Sequence, residues 1–118
     1  MTDLLIISSS APYYSSAAQD AIEAALAASN VDLSVSFVFT DNGLFQLLEA
    51  QDGKALGKKS VAKQIKAMPL YDIGPIYYLE TDLSSKHLEK DAISTVATGI
   101  DALNFAKLCS SSSSILRF

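Results

Sequence analysis

The sequence predicts a single-domain, three-layer α/β protein built on a five-stranded, mainly parallel sheet with helices on both faces. Short apolar runs bounded by polar turns alternate with stretches of helical periodicity along the whole chain. That is the pattern of strand–helix–strand crossovers, whose right-handed connections place helices on both sides of a sheet. With 118 residues, the chain has the size of one domain, and 1–118 is read as a single unit that buries one core without disulfide or metal. Leu4 to Ile7 is continuously apolar, as expected of a strand covered on both faces.

That first strand runs into Ser8, Ser9 and Ser10, and Pro12 ends it. Ser16 and Gln19 have the spacing of a capping box, and Ala18, Ile22, Ala25, Leu26 and Ser29 then share a helical face to about Asn30. Val31 to Phe39 alternates and then becomes wholly apolar, which predicts a central strand stopped by Asp41, Asn42 and Gly43. Asn42 caps a short helix through Leu44, Phe45, Leu47 and Leu48, and Gln51 to Gly57 reads as a surface loop. Val61, Ala62, Ile65 and Met68 follow helical spacing behind a run of lysines, with Pro69 as the stop.

Ile73 to Leu79 is the third strand, and Pro75, which lacks an amide donor, belongs at its start or on an edge. Leu83 to Leu88 forms a helical turn. Ile93 to Thr98 is β-branched enough for a short strand, and Thr98 with Asp101 has helix-opening spacing, so a helix follows to about Leu108. Ser110 to Ser114 is a turn, and Ile115 to Phe118 the last strand. In such sheets function gathers at the carboxyl ends of the strands, here Ser8 to Tyr14, Thr40 to Gly43 and Glu80 to Ser85.

Composition narrows the function. A formal net charge of −4 argues against the basic stripe that tracks phosphates, so direct contact with nucleic acid is not expected. Charged residues are 19% and hydrophobic ones 49%, a thin polar coat for a small body, which predicts apolar surface that meets another subunit. The apolar runs are too short for a membrane span, and no signal-peptide pattern opens the chain, so it is read as soluble and cytoplasmic. With one cysteine, Cys109, and one histidine, His87, a zinc site of several Cys and His ligands is excluded.

Gly53, Gly57, Lys58, Lys59 and Ser60 resemble a phosphate loop only superficially. The glycine spacing is one residue short, and Lys59 stands where the magnesium-binding hydroxyl belongs. Ser8 to Ser16 is loosely like the hydroxyl-rich loops of flavodoxin-like proteins, but it has no glycine and Pro12 removes an amide. His87 lies among lysines and reads as solvated, and Glu23, Glu49 and Glu89 lack the apolar surroundings of a general acid. Cys109 falls at the carboxyl end of a helix, where the dipole opposes negative charge, so it reads as a small buried filler and not as a nucleophile.

Several segments nonetheless form an ordered set: Ser9-Ser10-Ala11-Pro12, Asp41-Asn42-Gly43-Leu44-Phe45-Gln46-Leu47-Leu48, Leu70-Tyr71-Asp72-Ile73 and Ile115-Leu116-Arg117-Phe118. Together they resemble the TusC/DsrF branch of the DsrE-like sulfur-relay family. That resemblance implies a DsrE-like, flavodoxin-like fold and a non-catalytic subunit without cofactor. It also implies a cytoplasmic heterohexamer of two TusB–TusC–TusD trimers that passes persulfide sulfur towards thiolation of the tRNA wobble uridine. In the family the carrier cysteine belongs to the TusD/DsrE partner, in the loop after the third strand. The comparable stretch here, Tyr78 to Ser85, has no thiol.

Phe45, Leu47, Leu48, Tyr71 and Phe118 are candidate subunit-interface residues, each equally open to a role in core packing. Asp72 reads as a local cap or hydrogen-bonding group. Two alternatives stand beside the relay subunit: a DsrF-type subunit of dissimilatory sulfur oxidation, and a stand-alone flavodoxin-like module that binds a nucleotide or flavin through Ser8 to Ser16.

Overall fold

Five parallel strands form one sheet: β1 (Leu4–Ser8), β2 (Val35–Phe39), β3 (Ile73–Leu79), β4 (Thr98–Ile100) and β5 (Ser114–Arg117), in the order β4-β3-β2-β1-β5. The structure is a computed structural model that describes residues 2–13, 15–48 and 61–118. The expected loop from Gln51 to Gly57 and the lysine-rich segment before Val61 lie outside the described residues. The strand order is not that of flavodoxin, so the likeness to that fold lies in its layers.

One face of the sheet is closed by α1 (Ala17–Asn30) and α2 (Val61–Ala67). Ala18, Ala21, Ile22, Ala25 and Ala28 are the buried residues of α1. Four alanines let the helix approach Leu4, Ile6, Val35, Phe37 and Phe39, which share its core with Ile65 and Met68. The Phe37 and Phe39 rings pack with centroids 4.8 Å apart, a contact that adds about 1 kcal/mol to the burial of each side chain. All five residues of β1 and of β2 are buried, as central strands require.

The opposite face is covered more thinly. Here α4 (Ala102–Ser111) lays Phe105, Leu108 and Cys109 over Leu5, Ile7 and Val38, flanked by Tyr77 and Ile100. None of its residues is fully buried. The cap of α4 is Asp101, whose side chain accepts from Asn104 N–H at 2.8 Å. The expected cap, Thr98, belongs instead to β4. Ile93 to Ala97 is not a strand, although Ile93 forms one isolated bridge to Leu48. The β-branched run at Ile93 follows a short 3₁₀ turn over Lys90–Ala92, and the strand forms only where Tyr77 to Leu79 offer a ladder.

Three more expectations are corrected. Val31 to Leu33 alternates like a strand but is the turn after α1: Asp32 takes a left-handed φ of 64°, and Val31 and Leu33 are exposed at 67% and 43%. The Ser16/Gln19 capping box does not form. Ser16 Oγ donates to Asp20 Oδ2 at 3.0 Å, while the Gln19 amide pairs reciprocally with that of Gln64, both bonds at 2.9 Å. Pro75 sits inside β3 and past its start, in a stretch that β4 does not reach, since the β3–β4 ladder runs only from Tyr77 to Leu79. The ladder to β2 shifts register there, with Val35 opposite Ile73 but Phe37 opposite Ile76. Pro75 therefore falls in a bulge, where its missing donor leaves no gap.

Candidate functional site

The carboxyl edge of the sheet is assembled around Ser8, the last residue of β1. Its carbonyl accepts from Thr40 N–H at 3.1 Å, which draws the end of β2 alongside. The chain then turns at Asp41, in the left-handed region with φ 51°, into a 3₁₀ helix over Asp41–Leu47. Gly43 is required there, because a Cβ on it would lie 2.0 Å from the Ser8 carbonyl oxygen. The short helix expected with Asn42 as its cap exists in 3₁₀ form, held against the loop that leaves β1, but it starts at Asp41 and its cap position is Thr40.

Gln46 makes that attachment. Its Nε2 donates to Ser8 Oγ at 2.7 Å and to the Ser10 carbonyl at 2.9 Å. Gln46 and Ser8 are both fully buried. Gln46 stands in the block that carries the family resemblance, but its role was not legible there, because a single amide between apolar neighbours has no periodic signature. The one available signal was a polar residue at a core-facing position, which must be satisfied locally.

The turn after β3 is tied to the same 3₁₀ helix. A one-turn helix, α3 (Thr81–Ser85), places Asp82 so that its Oδ2 accepts the Asp41 N–H at 2.6 Å. Lys86 Nζ closes the arrangement on Asp41 Oδ1 at 2.6 Å. Glu80 N–H is held by the Ile100 carbonyl at 3.0 Å. This turn therefore presents carboxylates and hydroxyls and contains no thiol. His87 follows it, exposed, with a left-handed φ of 55°.

Cys109 lies elsewhere. α4 begins beside the carboxyl end of β4 and ends just before the amino end of β5, so its last turn is about 15 Å of helix away from the carboxyl edge. The Cys109 side chain is half-buried against Leu5, Ile7 and Val38.

The loop from Ser8 to Ser16 does not form an anion cradle in its described part. Ser9 N–H and Oγ both donate to the Phe118 carbonyl, at 2.8 and 3.0 Å. The Asp20 carboxylate sits in the first turn of α1, where it opposes a bound anion. A pocket of about 370 Å³ opens beside this turn, lined by Tyr13, Ser15, Gln19, Glu23 and Val61 among others. Among the described residues no His, Cys, Asp and Glu cluster could hold a metal ion, and no helix is long and apolar enough to cross a membrane.

The five candidate interface residues fall into different environments. Leu47 is 1% exposed and packs in the core. Phe45 and Leu48 are half-buried at the 3₁₀ helix. Phe118 rests against the main core while its backbone bonds to Ser9 and Ile7. Tyr71 is 55% exposed, beside Leu70 at 84%. Asp72 is the left-handed cap of the 3₁₀ turn Met68–Tyr71, with φ 60° and its N–H on the Pro69 carbonyl. Ser29 Oγ donates to the Tyr71 carbonyl, which ties the end of α1 to the 3₁₀ turn before β3. Among the described residues, four of the seven exposed large apolar side chains, Val31, Leu33, Leu70 and Tyr71, thus lie in the segments at the amino end of the sheet.

The fold and the edge define a class first: a five-stranded parallel α/β domain whose carboxyl edge is locked by internal hydrogen bonds and whose amino end carries exposed apolar side chains. The chain belongs to the DsrE/DsrF-like family, whose model matches residues 2–104. It is 30% identical over 98 residues to a protein TusC homolog of Pseudomonas aeruginosa, covering 83% of this chain and 82% of that one. To a TusC homolog of Vibrio vulnificus it is 27% identical over 118 residues, the full length of both. The intracellular sulfur oxidation protein DsrF of Allochromatium vinosum is 30% identical over 87 residues, 74% of this chain and 64% of that one. The fold matches the crystal structure of the ychN protein of E. coli with a TM-score of 0.85 over 100% of both chains at 15% identity.

Proposed function

We propose that this chain is a non-catalytic subunit of a cytoplasmic sulfur-relay complex that supports persulfide transfer towards thiolation of the tRNA wobble uridine. It assembles with TusB-like and TusD-like subunits into a heterohexamer of two trimers. The observation that carries this reading is the turn after β3. Where a carrier subunit of the family holds its thiol, this chain has Glu80 to Ser85, with Asp82 engaged on Asp41 N–H. A persulfide is passed by thiolate attack on sulfur, and neither a hydroxyl nor a carboxylate substitutes for the thiolate.

The subunit role is supported by the apolar group at Val31, Leu33, Leu70 and Tyr71, too concentrated for a free surface of this size. Tyr71 belongs to it, with Phe45, Leu48 and Phe118 as further contact candidates and Leu47 as the core residue beneath Phe45 and Leu48. Cys109→Ser in the co-expressed complex tests the reading: tRNA thiolation persists, and native mass measurement gives an intact hexamer. Loss of thiolation in an intact complex would contradict it.

A second reading, a DsrF-type subunit of sulfur oxidation, is favoured by the likeness to DsrF at the same 30% identity as the first TusC homolog. The two separate on whether deletion of the chain removes the thiolated wobble base or sulfur oxidation.

A further inference from the structure

We infer that the outer edge of β5 pairs antiparallel with β5 of a second copy of this chain, about a two-fold axis through Leu116. This goes beyond the subunit reading and is independent of it, because it uses only the backbone and side chains of one strand. Among the described residues β5 is the terminal strand of the sheet and is bonded on one side only, to β1. Ser114 N–H donates to the Asp3 carbonyl at 3.0 Å and Phe118 N–H to the Ile7 carbonyl at 2.9 Å. Peptide groups alternate along a strand. Ser114, Leu116 and Phe118 therefore face β1, and the N–H and C=O of Ile115 and Arg117 point away from the sheet.

Two outward residues that flank one inward residue are self-complementary under a two-fold axis. Ile115 of one copy exchanges N–H···O=C bonds in both directions with Arg117 of the other, and the reverse, so every outward group finds a partner. Leu116 meets Leu116 of the second copy in the close, non-hydrogen-bonded position, with Cα atoms about 4.5 Å apart. The side chains agree. Ile115 and Leu116 project to opposite faces and are 43% and 44% exposed, so both faces of the new ladder gain apolar contact.

No like charges oppose one another, since each Arg117 faces an isoleucine. The edge also lacks the proline and the bulge with which free edge strands resist pairing, and Arg117 is the one charged side chain on it. At the other edge, β4 spans only Thr98–Ile100. Ile100 bonds inward to Glu80 N–H, which leaves Gly99 as the sole outward residue and no reciprocal pair. A four-residue ladder covers less than the about 1,000 Å² of a durable interface, so the association depends on concentration and cross-linking is the suitable measurement.

In the full chain carrying Cys109→Ser, single cysteines are introduced as Leu116→Cys, Ile115→Cys or Arg117→Cys and oxidised mildly. Leu116→Cys converts to covalent dimer, because its Cα spacing falls inside the disulfide range of about 4.4–6.8 Å. The other two remain mostly monomer, since like positions there are offset along the ladder. Leu116→Lys and Arg117→Pro, which leave the bonds to β1 intact, shift the chain to monomer in light scattering with unchanged circular dichroism. Failure of Leu116→Cys to cross-link, equal cross-linking at all three positions, or a dimer that survives Leu116→Lys would each overturn the pairing.

Discussion

Gln46 Nε2 donates to Ser8 Oγ at 2.7 Å, and this contact between two fully buried side chains fixes the loop after β1 to the 3₁₀ helix after β2. The orientation of the amide is set by its second bond, to the Ser10 carbonyl, which only the NH₂ group can make. Gln46 Oε1 is left buried without a partner. Gln46→Ala leaves Ser8 and Ser10 without their donor and opens a cavity, with an expected loss of about 3 kcal/mol. Gln46→Met fills the space and removes the orphaned oxygen together with the donors, so it costs about half as much. Urea unfolding of both variants checks the order.

Gly43→Ala is the more severe change at the same place. Its Cβ would meet a backbone oxygen at 2.0 Å, and backbone cannot rotate away as a side chain does. The expected cost is about 3 kcal/mol or more. Gly74→Ala serves as the control, since nothing lies within 4 Å of the added carbon and the change stays within about 0.5 kcal/mol.

The amino end of the sheet carries a pH-sensitive clip. Asp3 Oδ2 accepts from Ser34 N–H at 2.8 Å and from Ser34 Oγ at 3.1 Å. These bonds, the backbone one first, hold the Asp3 carboxyl below the usual carboxylate range. A carboxyl with a lowered folded-state pKa adds stability above its unfolded value of about 3.9, and that stability is lost as pH falls through the folded value. The gap in urea midpoint between the chain and Asp3→Asn is therefore present at neutral pH and closes in acid.

Much of this architecture was legible in the sequence, and the misses have physical causes. β1, α1 and β3 were readable because a short apolar run marks each strand and helical spacing of apolar residues marks the helix. Val31 and Leu33 imitated a strand because alternation is blind to the left-handed turn that Asp32 makes between them. Thr98 imitated a cap because Thr and Asp both have capping spacing, and only the ladder to Tyr77 shows that Thr98 is already in a strand. Of the site, the missing thiol after β3 was visible by inspection. The bonds of Gln46 and Asp82 were not, because they join residues far apart in sequence through groups with no periodic pattern.

Asp82 also allows a test of local order. Its bond to Asp41 N–H holds a left-handed residue, and removing a charged acceptor from a partly exposed donor costs about 1 kcal/mol. Lys86→Ala costs less, because a partly solvated ion pair contributes below about 1 kcal/mol. Amide exchange at Asp41 should accelerate more in Asp82→Ala than in Lys86→Ala, with the β1 amides unaffected in either.

The apolar group at the amino end of the sheet yields the prediction that bears most directly on assembly. Leu70 is 84% exposed, so its side chain contributes little to folding, and Leu70→Glu should shift stability by no more than about 0.5 kcal/mol. In an interface the same change places an unpaired carboxylate against an apolar partner, with a cost of several kcal/mol once water is excluded. Leu70→Glu should therefore leave the melting temperature of the isolated chain unchanged and, if the proposed complex forms through this end, abolish co-purification with the proposed TusB-like and TusD-like subunits. Tyr71→Glu should behave alike, since Ser29 is bonded to the Tyr71 carbonyl and not to its side chain. Full assembly by both variants would move the subunit surface away from this end of the sheet.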